Sequence, residues 1–507
     1  MYKRKLISGG AFALALASII AACGGSNVTQ VTSGTVIQNA TIVNTQDGSL
    51  MTGQSIIIDG GKIQSITGVP VQTSGTAQAI DANGKFVVPG YLDMHTHAMS
   101  AVDQQPTYWP LMIANGITGI REMSGSAAVI QRARQLNADS AAGKVDAPEV
   151  LMITSDIFAG QATNAVDAAK FVDQKLAEGA DFIKVAAGSS DVVLAILAQA
   201  KRKGSHVAGH LVPGLSALDS TNAGWHAVEH LGSGWGLILD CAKDQTSIRQ
   251  AVLSGQGANP PFPPTFVLNP RAYDGALNAP FYQRIYDTYS EGQCQSLAKA
   301  FAANDTWQVP TLIRLRTQSF GNDPVYRNDP NLVYVDKTRR ALWSQLGDQF
   351  ASAVPASAAA TLQQYYELEK KVTKLMSDNG VKMLAGSDLS GVWVIPGFSL
   401  HQEFRELASA GLSPLTVLQM TTLNGAQFMH RESTMGTVAQ GKNADLVLLD
   451  ANPLADVSNL SKIAAVVLKG KYFGKAALDK MKSDVATTYQ AQSVQPLHTS
   501  LDPSHID

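Results

Sequence analysis

The sequence predicts an α/β fold, a (β/α)8 TIM barrel with a small β-sandwich formed by both terminal segments. Three observations support this prediction. Between residues 91 and 430, short apolar runs alternate with stretches whose apolar residues recur at helical spacing. The runs are almost continuously apolar, which is typical of parallel strands buried on both faces. Val/Ile-rich segments with Asp-Gly and Gly-Gly turns occupy 34–90, and β-like runs return at 431–475.

The first residues indicate export. A basic start precedes an apolar run too short and too glycine-interrupted to span a bilayer, and small residues then lead to Cys23. We expect residues 1–22 to be a lipoprotein signal peptide, Cys23 to be lipidated, and 23–33 to be a tether. The Ile-Ala-Ala-Cys motif resembles a bacterial lipobox, which with Gly24 implies anchoring in the outer membrane, facing the periplasm. A soluble exported protein cleaved nearby is the alternative.

Composition limits the classes of partner. The 507 residues are 45% apolar and 16% charged, which favours a large core over disorder. The net charge of −2 provides no basic field, so we expect no nucleic-acid partner, and membrane contact only through the lipid. Of the three cysteines, Cys241 and Cys294 could form a disulfide in an oxidising compartment or stay as buried thiols. A homo-oligomer is compatible with these numbers.

Eight strand candidates fall within 91–430. They are the run that holds His95, then 117–123, 149–156, 181–188, 206–211, 226–231, 307–313 and 381–388. Residues 232–306 are too long for an ordinary connection and are rich in Pro and aromatic residues. We interpret them as an insertion that caps a pocket or forms a surface elaboration with its own small core. From 476 to 507 we expect a short helix and a polar tail.

Side chains of the metal-binding type recur at the carboxyl ends of these strands, where barrel enzymes place their functional residues. His95 and His97 point to the same side, because strand side chains alternate. One histidine at a strand end is usually a packing residue, but a recurrence on successive strands is difficult to explain by packing. The candidate metal ligands are His95, His97, Lys184, His210, His230 and Asp388.

Lys184 distinguishes two kinds of metal site. In DFIKVAAG, alternation places Phe182 and Lys184 on one face, which we expect to be the barrel interior. An ammonium buried beside metal cations is unfavourable. A neutral amine can instead add carbon dioxide and become a carbamate, whose two oxygens could bridge two cations. The alternative is a lysine that reaches the barrel rim or pairs with a carboxylate.

Several segments resemble the amidohydrolase superfamily, most of all its metal-dependent peptidase or prolidase-like branch. They span about 60–470 and are VPGYLDMHTH, GADFIKVAAG, VAGH, AVEHL, VPTL, LAGSD, GFSLHQEF, GLSPLTVLQMTTLNGA and GKNADLVLLDANPL. The resemblance implies that the first two histidines hold one metal and His210 and His230 the second. It also implies that Lys184 is an N6-carboxylysine that bridges them, and that Asp388 is the last ligand and the catalytic base.

The sequence departs from the family after the fifth candidate strand. The family often has a second histidine there, whereas GHLVPG has Leu211 and Val212. We expect Glu229 to alternate away from His230 and to anchor its strand, and His206 to be a core or supporting residue. His401 resembles a family position that binds no metal.

The expected cofactor is two divalent ions, with zinc favoured by imidazole and carboxylate ligands and manganese, cobalt or iron as alternatives. Two such ions, about 3.5–4 Å apart, can share a water and lower its pKa. The resulting hydroxide would attack a carbonyl, and Asp388 would pass the proton to the leaving amine. We therefore expect a binuclear hydrolase that cleaves an amide bond in a small molecule such as a dipeptide or N-acyl amino acid.

Other functions remain open for the same residues. A lactonase, esterase or carbamate hydrolase would use the same nucleophile, and a catalytically inactive metal-binding lipoprotein would keep only the ligands. Deamination is disfavoured, because the superfamily's deaminases usually use one metal and lack the bridging lysine.

Overall fold

The computed structural model describes residues 28–257, 263–389 and 391–493. The predicted signal peptide (1–22), Cys23, and the end of the predicted tail lie outside the described residues, as do five positions of the predicted insertion. Within the described ranges, no helix combines the length and apolarity needed to cross a membrane.

Eight parallel segments form the barrel, so the predicted fold class is confirmed. In order, they are Tyr91–Thr96, Ile117–Glu122, Glu149–Ile153, Ile183–Ala187, Val207–Gly209, Ala227–Glu229, Trp307–Val309 and 381–389. Regular pairing joins the first three and the next four. Parallel bridges at Thr154–Phe182, Gln308–Met383 and Thr96–Leu389 connect the two groups and the eighth segment into a ring.

Two of these segments differ from the sequence prediction. The seventh strand ends at Val309 rather than at 313, because Pro310 has no N–H to donate and Thr311 adopts a left-handed φ of 46°. The eighth segment makes isolated bridges instead of a regular ladder. The buried Asp93 carboxylate holds it from the first strand, accepting from the Ser387 backbone N–H at 2.9 Å and the Ser387 hydroxyl at 2.6 Å.

Side-chain alternation separates two cores. Phe182, Ala208 and Ala227 pack together inside the barrel. Ile183 and Val185, on the same strand as Phe182, instead pack outward against the helices. Lys184 is fully buried and in register with the interior residue Ala208, so it has the inward parity expected from the sequence.

Helices surround the barrel and extend above it. The α-helices are Gln105–Ala114, Ala127–Ala141, Ala165–Ala177, Ser190–Arg202, Ala217–Asn222, Gln245–Leu253, Arg271–Asp287, Glu291–Ala303, Leu312–Ser319, Pro324–Arg327, Lys337–Ala353, Ala356–Asp378, Phe398–Ser409, Pro414–Met420, Leu423–Phe428 and Lys475–Ala491. The 3-10 helices are Val102–Gln104, His230–Gly232, Gly236–Cys241, Pro264–Leu268, Pro330–Tyr334 and Val457–Ser461. A two-residue strand, Phe158–Ala159, pairs with the fourth barrel strand.

The two terminal segments meet in one mixed sheet. Its strand order is Lys471–Gly474, Ile463–Leu468, Leu446–Leu449, Phe86–Pro89, Thr35–Val43, Leu50–Asp59 and Lys62–Thr67, with Gln78–Asp81 also paired to Thr35–Val43. The junction between the two ends of the chain is the antiparallel pairing of Leu446–Leu449 with Phe86–Pro89. Residues 29–31, which we predicted to be part of the tether, form a strand paired with Val71–Thr73. This pair covers part of the sheet through Val31, Val36 and Ile57.

The described part of the predicted insertion is mostly helical, and a disulfide crosslinks it. A disulfide joins Cys241 to Cys294, which are 53 positions apart, so the structure contains the bonded alternative. The helix Arg271–Asp287 packs against Lys337–Ala353 and Ala356–Asp378, which follow the seventh strand. The last described helix, Lys475–Ala491, is longer than predicted and packs on Gln105–Ala114.

Candidate metal centre

Three histidine side chains converge on one carboxylate at the carboxyl end of the barrel. The Nε2 atoms of His95 and His97 each lie 3.5 Å from Oδ1 of Asp388. The Nε2 atom of His230 lies 3.9 Å from Oδ2. All four side chains are buried. Ligand atoms of His95, His97 and Asp388 lie within 4.8 Å of one another, close enough to share a metal ion.

The other ring nitrogen of each histidine faces an oxygen. Nδ1 of His95 lies 2.8 Å from Oε2 of Glu229, and Nδ1 of His97 lies 2.7 Å from the Ser124 hydroxyl. Nδ1 of His230 meets the Thr311 hydroxyl, which donates its own proton to the Pro310 carbonyl and therefore accepts from the ring. Such outer partners fix the tautomer of a metal-binding histidine and leave its inner lone pair for the metal.

Glu229 corrects one sequence expectation. We predicted that it faces away from the site, but it is fully buried and lies behind His95. Alternation counted from Ala227, which faces the interior, gives Glu229 an inward direction. His230 has a left-handed φ of 53°, so alternation breaks there and both side chains reach the site.

The Glu229 carboxylate is kept ionised. Burial alone would raise its pKa, but the Arg121 guanidinium, 2.6 Å away, and the hydrogen bond to His95 outweigh burial and lower that pKa to about 2. The carboxylate therefore supplies a fixed negative charge behind the His95 ring, on the side opposite the Nε2 atom that faces Asp388.

The remaining two predicted ligands lie on neighbouring strands. The ring centroid of His210 is 5.2 Å from that of His230. Lys184 is in register with Ala208, two positions before His210. The donor set therefore consists of imidazole nitrogens and a carboxylate, which suits a divalent transition metal. The structure groups the histidines and Asp388 as the sequence suggested, and the ligand roles remain predictions.

Arg314 was not found by sequence reasoning. Its Nε atom donates to Oδ2 of Asp388 at 2.8 Å. Its two terminal nitrogens donate to the backbone oxygens of Leu268 and Val267, each at 2.6 Å. The side chain is buried, and it connects the predicted catalytic base to the insertion. An arginine in the helix after the seventh strand carries no local signal for this role.

A cavity of about 480 Å³ opens beside His210. Its wall contains a residue of the fourth strand, residues that follow the fifth and sixth strands, and residues of the insertion, including Phe266, Asp274 and Tyr282. Of the two interpretations of the insertion, the structure therefore favours the one in which it closes a pocket.

Two other histidines occupy different places from the predicted ligands. His206, which we expected to be a core or supporting residue, is exposed at the amino end of its strand and stacks on His226 with ring centroids 4.0 Å apart. His401 lies with Nε2 2.9 Å from the Asn115 carbonyl, consistent with a structural role.

Part of the chain is similar in sequence to known proteins. Residues 369–472 match the model of the amidohydrolase family. An adenine deaminase of Listeria welshimeri is 31% identical over 200 residues, which are 37% of this chain and 33% of that protein. Adenine deaminase 3 of Rhizobium johnstonii is 28% identical over 193 residues, 35% of this chain and 32% of that protein. The matched part is thus about a third of the length of these relatives.

Solved structures share the fold across most of the chain. Bottromycin amidohydrolase superposes with a TM-score of 0.65 at 18% identity, covering 92% of this chain and 91% of that one. A Xaa-Pro dipeptidase with bound methionine gives a TM-score of 0.58 at 18% identity, covering 87% of this chain and 100% of that one. At these identities the likeness concerns the fold.

Proposed function

We propose that this chain belongs to the amidohydrolase superfamily and is a binuclear metal-dependent hydrolase that cleaves an amide bond in a small molecule, such as a dipeptide or an N-acyl amino acid. One observation carries the proposal. The Nε2 atoms of three histidines surround Asp388 while each Nδ1 is engaged by an oxygen outside the site. Packing alone requires no such convergence, whereas metal binding does.

Each residue has a distinct part in the proposed reaction. Divalent ions held there would activate a water as nucleophile and polarise the substrate carbonyl. Asp388 would take the proton of that water and deliver it to the leaving amine. Arg314 positions the carboxylate through its Nε–H, and a carbamate on Lys184 would join the two ion positions.

Two other kinds of reaction are candidates for the same site. Lactones, esters and carbamates present a carbonyl to the same nucleophile. Removal of an exocyclic amine from a purine is the second candidate, because the relatives named adenine deaminase share about 30% identity over part of the chain.

The decisive experiment assays metal-reconstituted protein against dipeptides, N-acyl amino acids, lactones, esters and adenine. We expect amide cleavage, and we expect Asp388→Ala to lower it by about a thousandfold because the proton carrier is lost. Asp378→Ala, which removes an exposed aspartate at a helix end, should leave the rate unchanged. Cleavage of esters or lactones only, or ammonia release from adenine only, would replace the amide assignment.

A metal count separates one ion from two. Lys184→Ala should reduce the bound metal from two ions to one or fewer per chain, measured by elemental analysis after dialysis. If that variant keeps two ions, the carbamate bridge is wrong, while the histidine–aspartate site could still stand.

We also propose that the protein is lipid-anchored in the cell envelope through Cys23. The support is the sequence of residues 1–23. Metabolic labelling with palmitate should mark the wild-type protein and not Cys23→Ser. Equal labelling of both would contradict the proposal.

A further inference from the structure

The cavity beside His210 carries charged groups on its wall, and most of them already have a partner. Arg249 forms an ion pair with Asp240 at 2.6 Å. Arg271 forms one with Glu369 at 2.8 Å, and both of those side chains are buried. These guanidinium groups are therefore committed to the protein and are poorly placed to bind an anionic substrate.

Asp274 is different. It lies in the cavity wall on the helix Arg271–Asp287, and 9% of its surface is exposed. Among the described residues, no cation forms an ion pair with its carboxylate. Burial raises its pKa to about 6, with Arg271 and a hydrogen bond from Asn278 only partly opposing this effect. A carboxylate in such surroundings gains more from a cation than an exposed one would.

Asn278 adds a second acceptor one helical turn further on. Its side chain is 4% exposed, and it lies close enough to Asp274 to help lower the pKa of that carboxyl. Its Oδ1 atom is buried without a hydrogen-bond partner among the described residues. A buried acceptor in this position is unfavourable unless a ligand donates to it.

The rest of the wall suits a positively charged ligand with an apolar stem. Trp235, Phe266 and Tyr282 line the same cavity. Aromatic faces attract cations and pack against methylene groups. The wall thus offers two acceptors and several aromatic rings, while both arginines are already ion-paired. Such a wall favours a group with several N–H donors and a positive charge.

We propose that Asp274 and Asn278 bind a cationic group of the substrate, an ammonium or a guanidinium, beside the metal centre. This inference rests on the proposed amide hydrolase and makes Asp274 a specificity-determining residue of that enzyme. The cation could belong to a basic side chain or to a free amino terminus, and the experiment distinguishes these sources.

The kinetic test uses two substrate pairs with metal-reconstituted full-length protein. Nα-acetyl-lysine and Nα-acetyl-norleucine differ in that only the first has a side-chain ammonium. Alanyl-norleucine and N-acetyl-alanyl-norleucine differ in the terminal ammonium. In at least one pair, we expect the cationic member to have a kcat/KM about tenfold or more higher. Asp274→Asn should reduce that ratio to near one, while Asp287→Asn, at the exposed end of the same helix, should preserve it.

Calorimetry separates this inference from the proposed function. Lysine should bind more tightly than norleucine, or alaninamide more tightly than N-acetyl-alaninamide, and Asp274→Asn should remove the difference. If no amide is cleaved, the hydrolase proposal fails and the calorimetric preference still decides the cation site. Absence of any cation preference, or its survival in Asp274→Asn, overturns the inference. Should that variant not fold, Asn278→Asp must strengthen the preference instead.

Discussion

Replacing Glu229 with glutamine should weaken metal binding while the protein remains folded. One oxygen of this fully buried carboxylate lies 2.8 Å from Nδ1 of His95, and the other accepts from Arg121 at 2.6 Å. Glutamine keeps the shape, but it has lost the negative charge and one of the two acceptors. Either His95 or Arg121 then faces an NH2 group, and the tautomer of His95 is no longer fixed.

The expected magnitudes follow from these contacts. Loss of the partner behind a metal-binding histidine typically costs about 10- to 100-fold in metal affinity, which is about 1.4–2.7 kcal/mol. Breaking a buried ion pair costs about 3–5 kcal/mol of stability. Arg121 keeps its hydrogen bond to the Met94 carbonyl at 2.7 Å, so we expect the lower end of that range.

Two measurements test the prediction separately. Competition with a chelating dye gives the metal affinity, and urea unfolding of the metal-free protein gives the stability. Glu367→Gln is the matched control, since that side chain is 62% exposed and should change neither quantity. If folded Glu229→Gln bound metal as tightly as the wild type, His95 would not be a ligand oriented by Glu229.

Three further changes have clear expected outcomes. Arg314→Met should lower kcat by about tenfold or more, because Asp388 loses its positioning donor, and should increase protease cleavage of the insertion; kinetics and limited proteolysis check both. Burial raises the pKa of Glu403 from 4.5 to about 8, so the folded protein keeps a proton that the unfolded chain releases. Stability should therefore fall as pH rises through that window, by up to about 1.4 kcal/mol per pH unit, and Glu403→Gln should flatten the urea-unfolding profile. Replacing both Cys241 and Cys294 with alanine should lower the free energy of unfolding by about 2–4 kcal/mol in urea unfolding, because the unfolded chain loses a 53-residue constraint; equal stability would refute this.

The local sequence pattern was sufficient to predict the barrel and the types of residue at the ends of its strands. Apolar runs, their parity and the residue that ends each run are properties of a few adjacent positions. Phe182 and Lys184 could be placed on one face from the strand alone, and the buried interior agrees with that placement. The ends of the strands were less predictable, because Pro310 and the left-handed Thr311 end the seventh strand early.

The sequence by itself therefore determined the fold class, the pairing of the two termini in one β domain, and a candidate ligand set. Only the tertiary structure decided what surrounds those ligands. Arg314 reaches Asp388 from 74 positions away, and Glu229 reaches His95 from 134. The cavity wall at Asp274 likewise depends on how the insertion packs above the barrel. Such contacts join distant segments, and their geometry depends on the packing of the whole chain, which no local period encodes.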